Sequence, residues 1–165
     1  MAPQTSIEVS REIPASAADI FAILSNPQRH KDFDGSEMIT GSQTPGPISS
    51  VGDKFTMTMN RAGDDYLMIN IVSEFELNRR IFWLPAPGDT SRSEGHLEEN
   101  VGKPAGYKWG YILEPLSEHI TKVTEVFEHG PLNESHFEDG GKWINTKNTV
   151  EESMTASLEL LASLI

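Results

Sequence analysis

The chain has 165 residues and no cysteine, which excludes disulfides, thiolate metal sites and thiol nucleophiles. Thirteen Lys and Arg stand against 25 Asp and Glu, a formal net charge of −12. A field of that sign repels phosphate backbones and anionic lipid surfaces, so nucleic acid is not an expected partner.

Ser6–Ile13 alternates, with Ile7, Val9, Arg11 and Ile13 on one face, and reads as a first strand. Pro14-Ala15 ends it. Ser16 and Asp19 then form a capping box that opens a helix running to about Leu24. Asn26-Pro27 stops this helix and restarts a helical turn carrying Gln28, Arg29 and His30. Strand segments follow at Glu37–Gln43, Lys54–Asn60, Tyr66–Glu76, Arg80–Leu84, Tyr107–Pro115 and His119–Glu128. Alternation groups Phe55, Met57 and Met59, and sets Leu67, Ile69, Ile71 and Phe75 against Met68, Asn70 and Glu74. It also groups Ile81 with Trp83, Tyr107 with Trp109, Tyr111 and Leu113, and Thr121 with Val123, Glu125 and Phe127. Pro85–Gly106 reads as a long loop rich in Gly, Pro and Ser, of the kind that forms lids and binding loops. Lys142–Ile165 places Trp143, Val150, Met154, Leu158, Leu161 and Ile165 on one stripe of a long amphipathic helix.

The order is strand, two short helices, about six antiparallel strands and a long helix, an α+β layout with one concavity under the last helix. One domain over residues 1–165 is expected, long enough to bury roughly 70% of its unfolded surface. No apolar run approaches the roughly 20 residues that span a bilayer, and MAPQTSIEVSRE lacks the pattern of a secretion signal. A cytoplasmic protein without membrane insertion is expected, and Asn133-Glu134-Ser135 is then a chance match to the glycosylation pattern.

Several stretches, in order, resemble the SRPBCC superfamily, the START/Bet v 1-like, polyketide cyclase/dehydrase and lipid-transport group. The run IEVSREIPASAADIFAILSNPQRHKDFDGS is similar to its opening, and VGDKF from Val51 to a strand start. Glu74–Trp83 resembles its strand turn, although Leu77 replaces the usual Pro. WGYILEP from Trp109 and TKVTE from Thr121 resemble its last two strands. The resemblance implies a helix-grip fold: a curved antiparallel sheet of about seven strands wrapped around the C-terminal helix, with a deep cavity between them. The long Pro85–Gly106 loop departs from the family pattern at the mouth of that cavity.

Catalytic motifs are absent: there is no H-E-x-x-H, phosphate-cradling loop, nucleophile elbow or dinucleotide fingerprint. His30, His96, His119, His129 and His136 lack metal-ligand spacing and read as surface residues, so neither metal nor cofactor is expected. The pairs Asp64-Asp65, Glu98-Glu99 and Glu138-Asp139 read as solvated charges in turns. Glu125 and Arg11 are the odd charges on inward faces, and they are expected to pair across neighbouring strands because a buried charge needs a partner. The ligand-facing set is Phe55, Met57, Met59, Ile71, Trp83, Tyr107, Trp109, Tyr111, Glu125, Phe127, Trp143, Val150 and Met154: apolar walls, flexible methionines and a few polar tips. Binding of a small hydrophobic or amphipathic molecule, such as a lipid, polyketide or aromatic metabolite, is the leading expectation, by a monomer or homodimer. The alternatives are an aromatase/cyclase or dehydrase, with Tyr107, Tyr111 and Glu125 relaying protons, and an interaction domain akin to chaperone activators.

Overall fold

A computed structural model describes residues 6–61, 63–90, 97–104, 106–129 and 149–165. Its elements are β1 (Ser6–Ile13), α1 (Ala17–Leu24), a 3-10 helix (Pro27–Phe33), β2 (Ile39–Gly41) and β3 (Lys54–Arg61). There follow β4 (Asp64–Glu76), β5 (Arg80–Pro87), a 3-10 turn (Glu98–Asn100), β6 (Lys108–Ser117), β7 (Ile120–Glu128) and α2 (Val150–Ser163). The seven strands form one antiparallel sheet in the order β1-β7-β6-β5-β4-β3-β2. The sheet curls around α1, the first 3-10 helix and α2, so the α+β helix-grip architecture is present. Among the described residues, no helix is long and apolar enough to cross a membrane.

Both α-helices start on side-chain caps. Ser16 Oγ accepts the Asp19 backbone N–H at 3.1 Å, as its capping box requires. Thr149, extended at φ −65° and ψ 160°, caps α2 by accepting the Glu152 N–H, and its hydroxyl donates to the Glu152 carboxylate. This second capping box starts α2 at Val150, not within the helix expected from Lys142 onward; Lys142–Asn148, with Trp143, lie outside the described residues. Val150, Met154, Leu158 and Leu161 form the buried stripe of α2.

The chain after the first 3-10 helix is pinned directly to α2. Gly35 N–H donates to Ser157 Oγ at 2.8 Å, and Ser157 Oγ donates on to the Ser153 carbonyl at 2.9 Å. A Cβ on Gly35 would collide with the Ser153 carbonyl and lie 2.7 Å from Ser157 N.

The two faces of the sheet differ from the expected assignment at one strand. β4 pairs Val72 with Trp83 and then Glu74 with Phe82, so Ser73 is an extra residue, a β-bulge. The bulge brings Val72 and Phe75 to the same face, behind Asn70 and Met68. Ile71 is opposite Lys54 and Leu84 on the convex side, so its placement in the ligand-facing set is corrected. β5 also runs on to Pro87, beyond the expected Leu84. β6 pairs only with Arg80–Trp83, which leaves Pro85 and Pro87 where no second ladder needs their missing N–H. On the convex side Phe82 is buried over Gly110, with Arg80 and Lys108 each within 4.8 Å of its ring centre and Glu74 bridging both cations.

Gly35→Ala is expected to lower unfolding stability by about 1–3 kcal/mol, because backbone rather than a flexible side chain must yield. Urea unfolding against Gly46→Ala, whose Cβ meets nothing within 4 Å, checks this; equal losses would show that α2 is not seated on Gly35.

Candidate functional site

The concave face has a packed half and an open half. In the packed half the first 3-10 helix lays His30 over an aromatic floor. Its ring stacks on Trp83 with centroids 5.5 Å apart, and meets Phe55 edge-on at 5.4 Å and Phe33 at 5.6 Å. Tyr111 stands 6.1 Å from Trp83 and 6.2 Å from Phe33. In the open half, Ile7, Val9, Met59, Met68, Tyr107 and Trp109 are only half-buried. Trp109 stacks on Phe127 at 4.0 Å, and Phe127 packs with Val150 and Met154 of α2.

Buried polar groups interrupt this apolar wall. Glu125, 5% exposed, is opposite Tyr111 on β6 and Val9 on β1, and accepts a hydrogen bond from the Tyr111 hydroxyl. Burial pushes its pKa well above the ordinary carboxylate value, opposed by the Tyr111 bond and assisted by nearby Asp34. Tyr111 is pushed up as well, by burial first and by Glu125 second. The expected ion pair with Arg11 does not form: Arg11 is exposed and opposite Val123, and Tyr111 is the group that meets Glu125. A long guanidinium on the edge strand is better hydrated in solvent than desolvated against one buried carboxyl.

His30 is not a surface residue. It is 2% exposed, and burial lowers its pKa to about 4 against a weaker upward pull from its hydrogen bond to Leu24 and from Asp34. His129 is buried too, at 5% and 5.7 Å from Phe127, whereas His119 is exposed; His96 and His136 lie outside the described residues. Asp34 accepts from Ser36 N and Oγ, Met38 N and Ile39 N at 2.6 to 3.0 Å, a turn that ties the end of the 3-10 helix to β2. Asn70, 1% exposed, faces Phe55 across β3 and β4.

The structure therefore gathers Phe55, Met57, Trp83, Tyr111, Glu125, Phe127, Val150 and Met154 on the covered concave face, with Met59, Tyr107 and Trp109 toward its opening. Ile71 lies outside this group. His30, Asn70 and Asp34 were missed. Only the alternation of Asn70 with Met68 signalled one of them, and it was assigned to the opposite face. Among the described residues, no group of three His, Asp or Glu side chains is placed to hold a metal ion. A depression of about 490 Å³ opens on the convex side beside Leu84 and Pro104, flanked by Lys108 and Glu128, whose charged ends are 4.0 Å apart. It is shallow and its charges are paired at the surface, so the chemistry concentrates on the other face.

No family model matches the chain. An uncharacterized protein of Mycobacterium tuberculosis, Rv0088, is 30% identical over 120 residues, 73% of this chain and 46% of that protein. The chain thus spans less than half of the curated relatives it matches. A crystal structure of a protein from Chromobacterium violaceum superposes with a TM-score of 0.64 at 16% identity, covering 98% of this chain and 96% of that one. An HSP90 activator from Plasmodium falciparum superposes with a TM-score of 0.51 at 12% identity, over 84% of this chain and 82% of that one. The chain shares the overall fold of these two structures. At such identities the shared property is the helix-grip architecture.

The two buried titratable groups make opposite pH demands. The unfolded His30 takes a proton below about pH 6.5 while the folded one resists to about 4, so stability drops as pH falls through that window. The unfolded Glu125 loses its proton above about pH 4.5 while the folded one keeps it, so stability drops as pH rises from there. Between pH 4.5 and 6.5 the two slopes oppose each other, neither steeper than about 1.4 kcal/mol per pH unit. Relative to wild type, Glu125→Gln is expected to gain stability with rising pH across that window, and His30→Phe to lose it. Denaturant midpoints at both ends of the window check this, and parallel curves for all three proteins would show that neither group is held uncharged.

Proposed function

We propose that the chain binds a small, mostly apolar molecule in the concavity between the sheet and α2, entered past Met59 and Trp109. The observation that carries this reading is the unbroken passage from half-exposed apolar side chains (Ile7, Val9, Met59, Met68, Trp109) to a buried aromatic floor. A surface built only to pack would not keep a Trp, two aliphatic side chains of β1 and two methionines partly open on one face. Met57, Met59, Met68 and Met154 lend that wall flexibility suited to varied ligand shapes. Lipids, polyketides and other aromatic metabolites are the chemical classes that match it.

A second reading has its own support. His30 on the 3-10 helix and Glu125 with Tyr111 on β6 and β7 are titratable groups on different walls of the same concavity. A neutral imidazole and an uncharged carboxyl are a base and an acid that a cyclase- or dehydrase-type reaction uses.

Nile red, a neutral apolar dye, is expected to bind saturably at one molecule per chain with a blue-shifted emission. Met59→Trp, which adds bulk at the entrance, is expected to weaken it about tenfold, equivalent to about 1.4 kcal/mol, while the thermal unfolding midpoint stays close to wild type. Native mass spectrometry of the freshly purified protein supplies the independent check. Linear, non-saturating dye fluorescence together with a clean unliganded mass would remove the binding reading.

A further inference from the structure

The sheet has two edges, and the chain treats them differently. At β2 the edge is short and tied down by side chains. The Ile39 N–H donates to Asp34 Oδ2 at 2.7 Å, and Gln28 Nε2 donates to the carbonyls of Ser42 and Thr44 at 2.9 and 2.6 Å. Thr44 Oγ1 accepts the Thr56 N–H at 3.0 Å, so β3 is closed off just beyond β2. Among the described residues β1 has no such guard. It runs for 8 residues without proline, lysine or bulge, and Glu8, Ser10, Arg11 and Glu12 are exposed.

Backbone groups in an antiparallel sheet turn alternately to one neighbouring strand and the other. The Leu113 N–H donates to the Arg79 carbonyl at 2.7 Å, on the β5 side, and this bond sets the phase. Tyr111 and Trp109 therefore also turn to β5, while Gly110, Ile112 and Glu114 turn to β7 against Val126, Thr124 and Lys122. The intervening Val123, Glu125 and Phe127 turn to β1, where they meet Arg11, Val9 and Ile7. The N–H and C=O groups of Glu8, Ser10 and Glu12 are then directed out of the sheet, and they have no partner among the described residues. A row of free groups of this kind is a template for a further strand.

The side chains say which strand. Glu8 and Glu12 lie on the convex side of the edge with Ser10 between them, and Ile7 and Val9 are half-buried on the concave side. Charge acts against a second copy of this chain. Pairing β1 with β1 about a two-fold axis sets Glu8 or Glu12 opposite or diagonal to those of the other copy, and each chain carries −12. We propose that the β1 edge takes an extended segment of a protein partner that carries two basic residues, one for each glutamate, on one face and apolar residues on the other. The backbone ladder of β1 continues onto the added strand, whatever the concavity holds.

The probe is the peptide acetyl-TTKVTVKTT-amide, which reads the same in both directions, and its control is acetyl-TTEVTVETT-amide. In the free protein the amides of Glu8, Ser10 and Glu12 are expected to exchange with solvent about tenfold faster than those of Val9 and Arg11, or more, by NMR. The lysine peptide is expected to slow the three outward amides severalfold. It is expected to bind about tenfold more tightly than the control, the scale of two cross-strand charge pairs. Ser10→Pro removes one outward N–H without breaking the β1–β7 ladder, and is expected to weaken the peptide about tenfold with a thermal midpoint close to that of Ser10→Ala. Slow exchange of the three amides in the free protein, equal affinity for the two peptides, or no binding would overturn the proposal. Concentration-dependent protection of those amides without peptide would assign the edge to a second copy and overturn it as well. The exchange measurement on wild type needs no variant to fold.

Discussion

The hydrogen bond from His30 Nε2 to the Leu24 carbonyl is the constraint around which the interior is arranged. Leu24 is the last residue of α1, where a helix leaves carbonyls without an internal partner. The chain turns at Asn26-Pro27 and folds back, so that an imidazole from the next turn satisfies that carbonyl. One bond thereby closes the end of α1, fixes the tautomer of the ring and lays its face against Trp83. The burial that follows holds His30 uncharged and fills the half of the concavity nearest α1. The other half is left to Met59, Trp109 and α2.

Two local devices complete the frame. The extra residue at Ser73 turns the end of β4, so Phe75 reaches Phe21 on α1 with ring centres 5.5 Å apart while Asn70 and Val72 look onto the same concave space. Gly35 allows backbone to meet backbone at α2, where any side chain would hold the helix off the sheet. The buried polar residues His30, Asn70, Tyr111 and Glu125 come from the 3-10 helix, β4, β6 and β7. They are positioned by packing, and the same burial favours the uncharged forms of His30 and Glu125.

Solved structures with 12% and 16% identity share the architecture. What such chains have in common is a pattern of alternation, turns and one amphipathic helix, which tolerates wide replacement of individual residues as long as faces and lengths are kept. The side chains that line the concavity are free to differ within that pattern, so the fold locates the site and its own residues must say what fits there. Here they are apolar and aromatic side chains with a few buried polar groups among them.

Element order, most strand spans, the first capping box and the inward direction of Glu125, Tyr111 and Trp83 were legible in the sequence, because period-two alternation and cap residues act within a few positions. The start of α2 was legible too, in the Thr149-to-Glu152 spacing, but the longer apolar stripe drew the expected helix past it. Three things belonged to the tertiary structure alone. The bulge at Ser73 reversed the face of Ile71 and Asn70, since an unpaired residue is defined only by its partner strand. The burial of His30 depends on a carbonyl six residues earlier and on aromatic rings from β3 and β5, none of which alternation reveals. The partner of Glu125 was decided by register: its cross-strand neighbours are Tyr111 on β6 and Val9 on β1, while Arg11 falls opposite Val123.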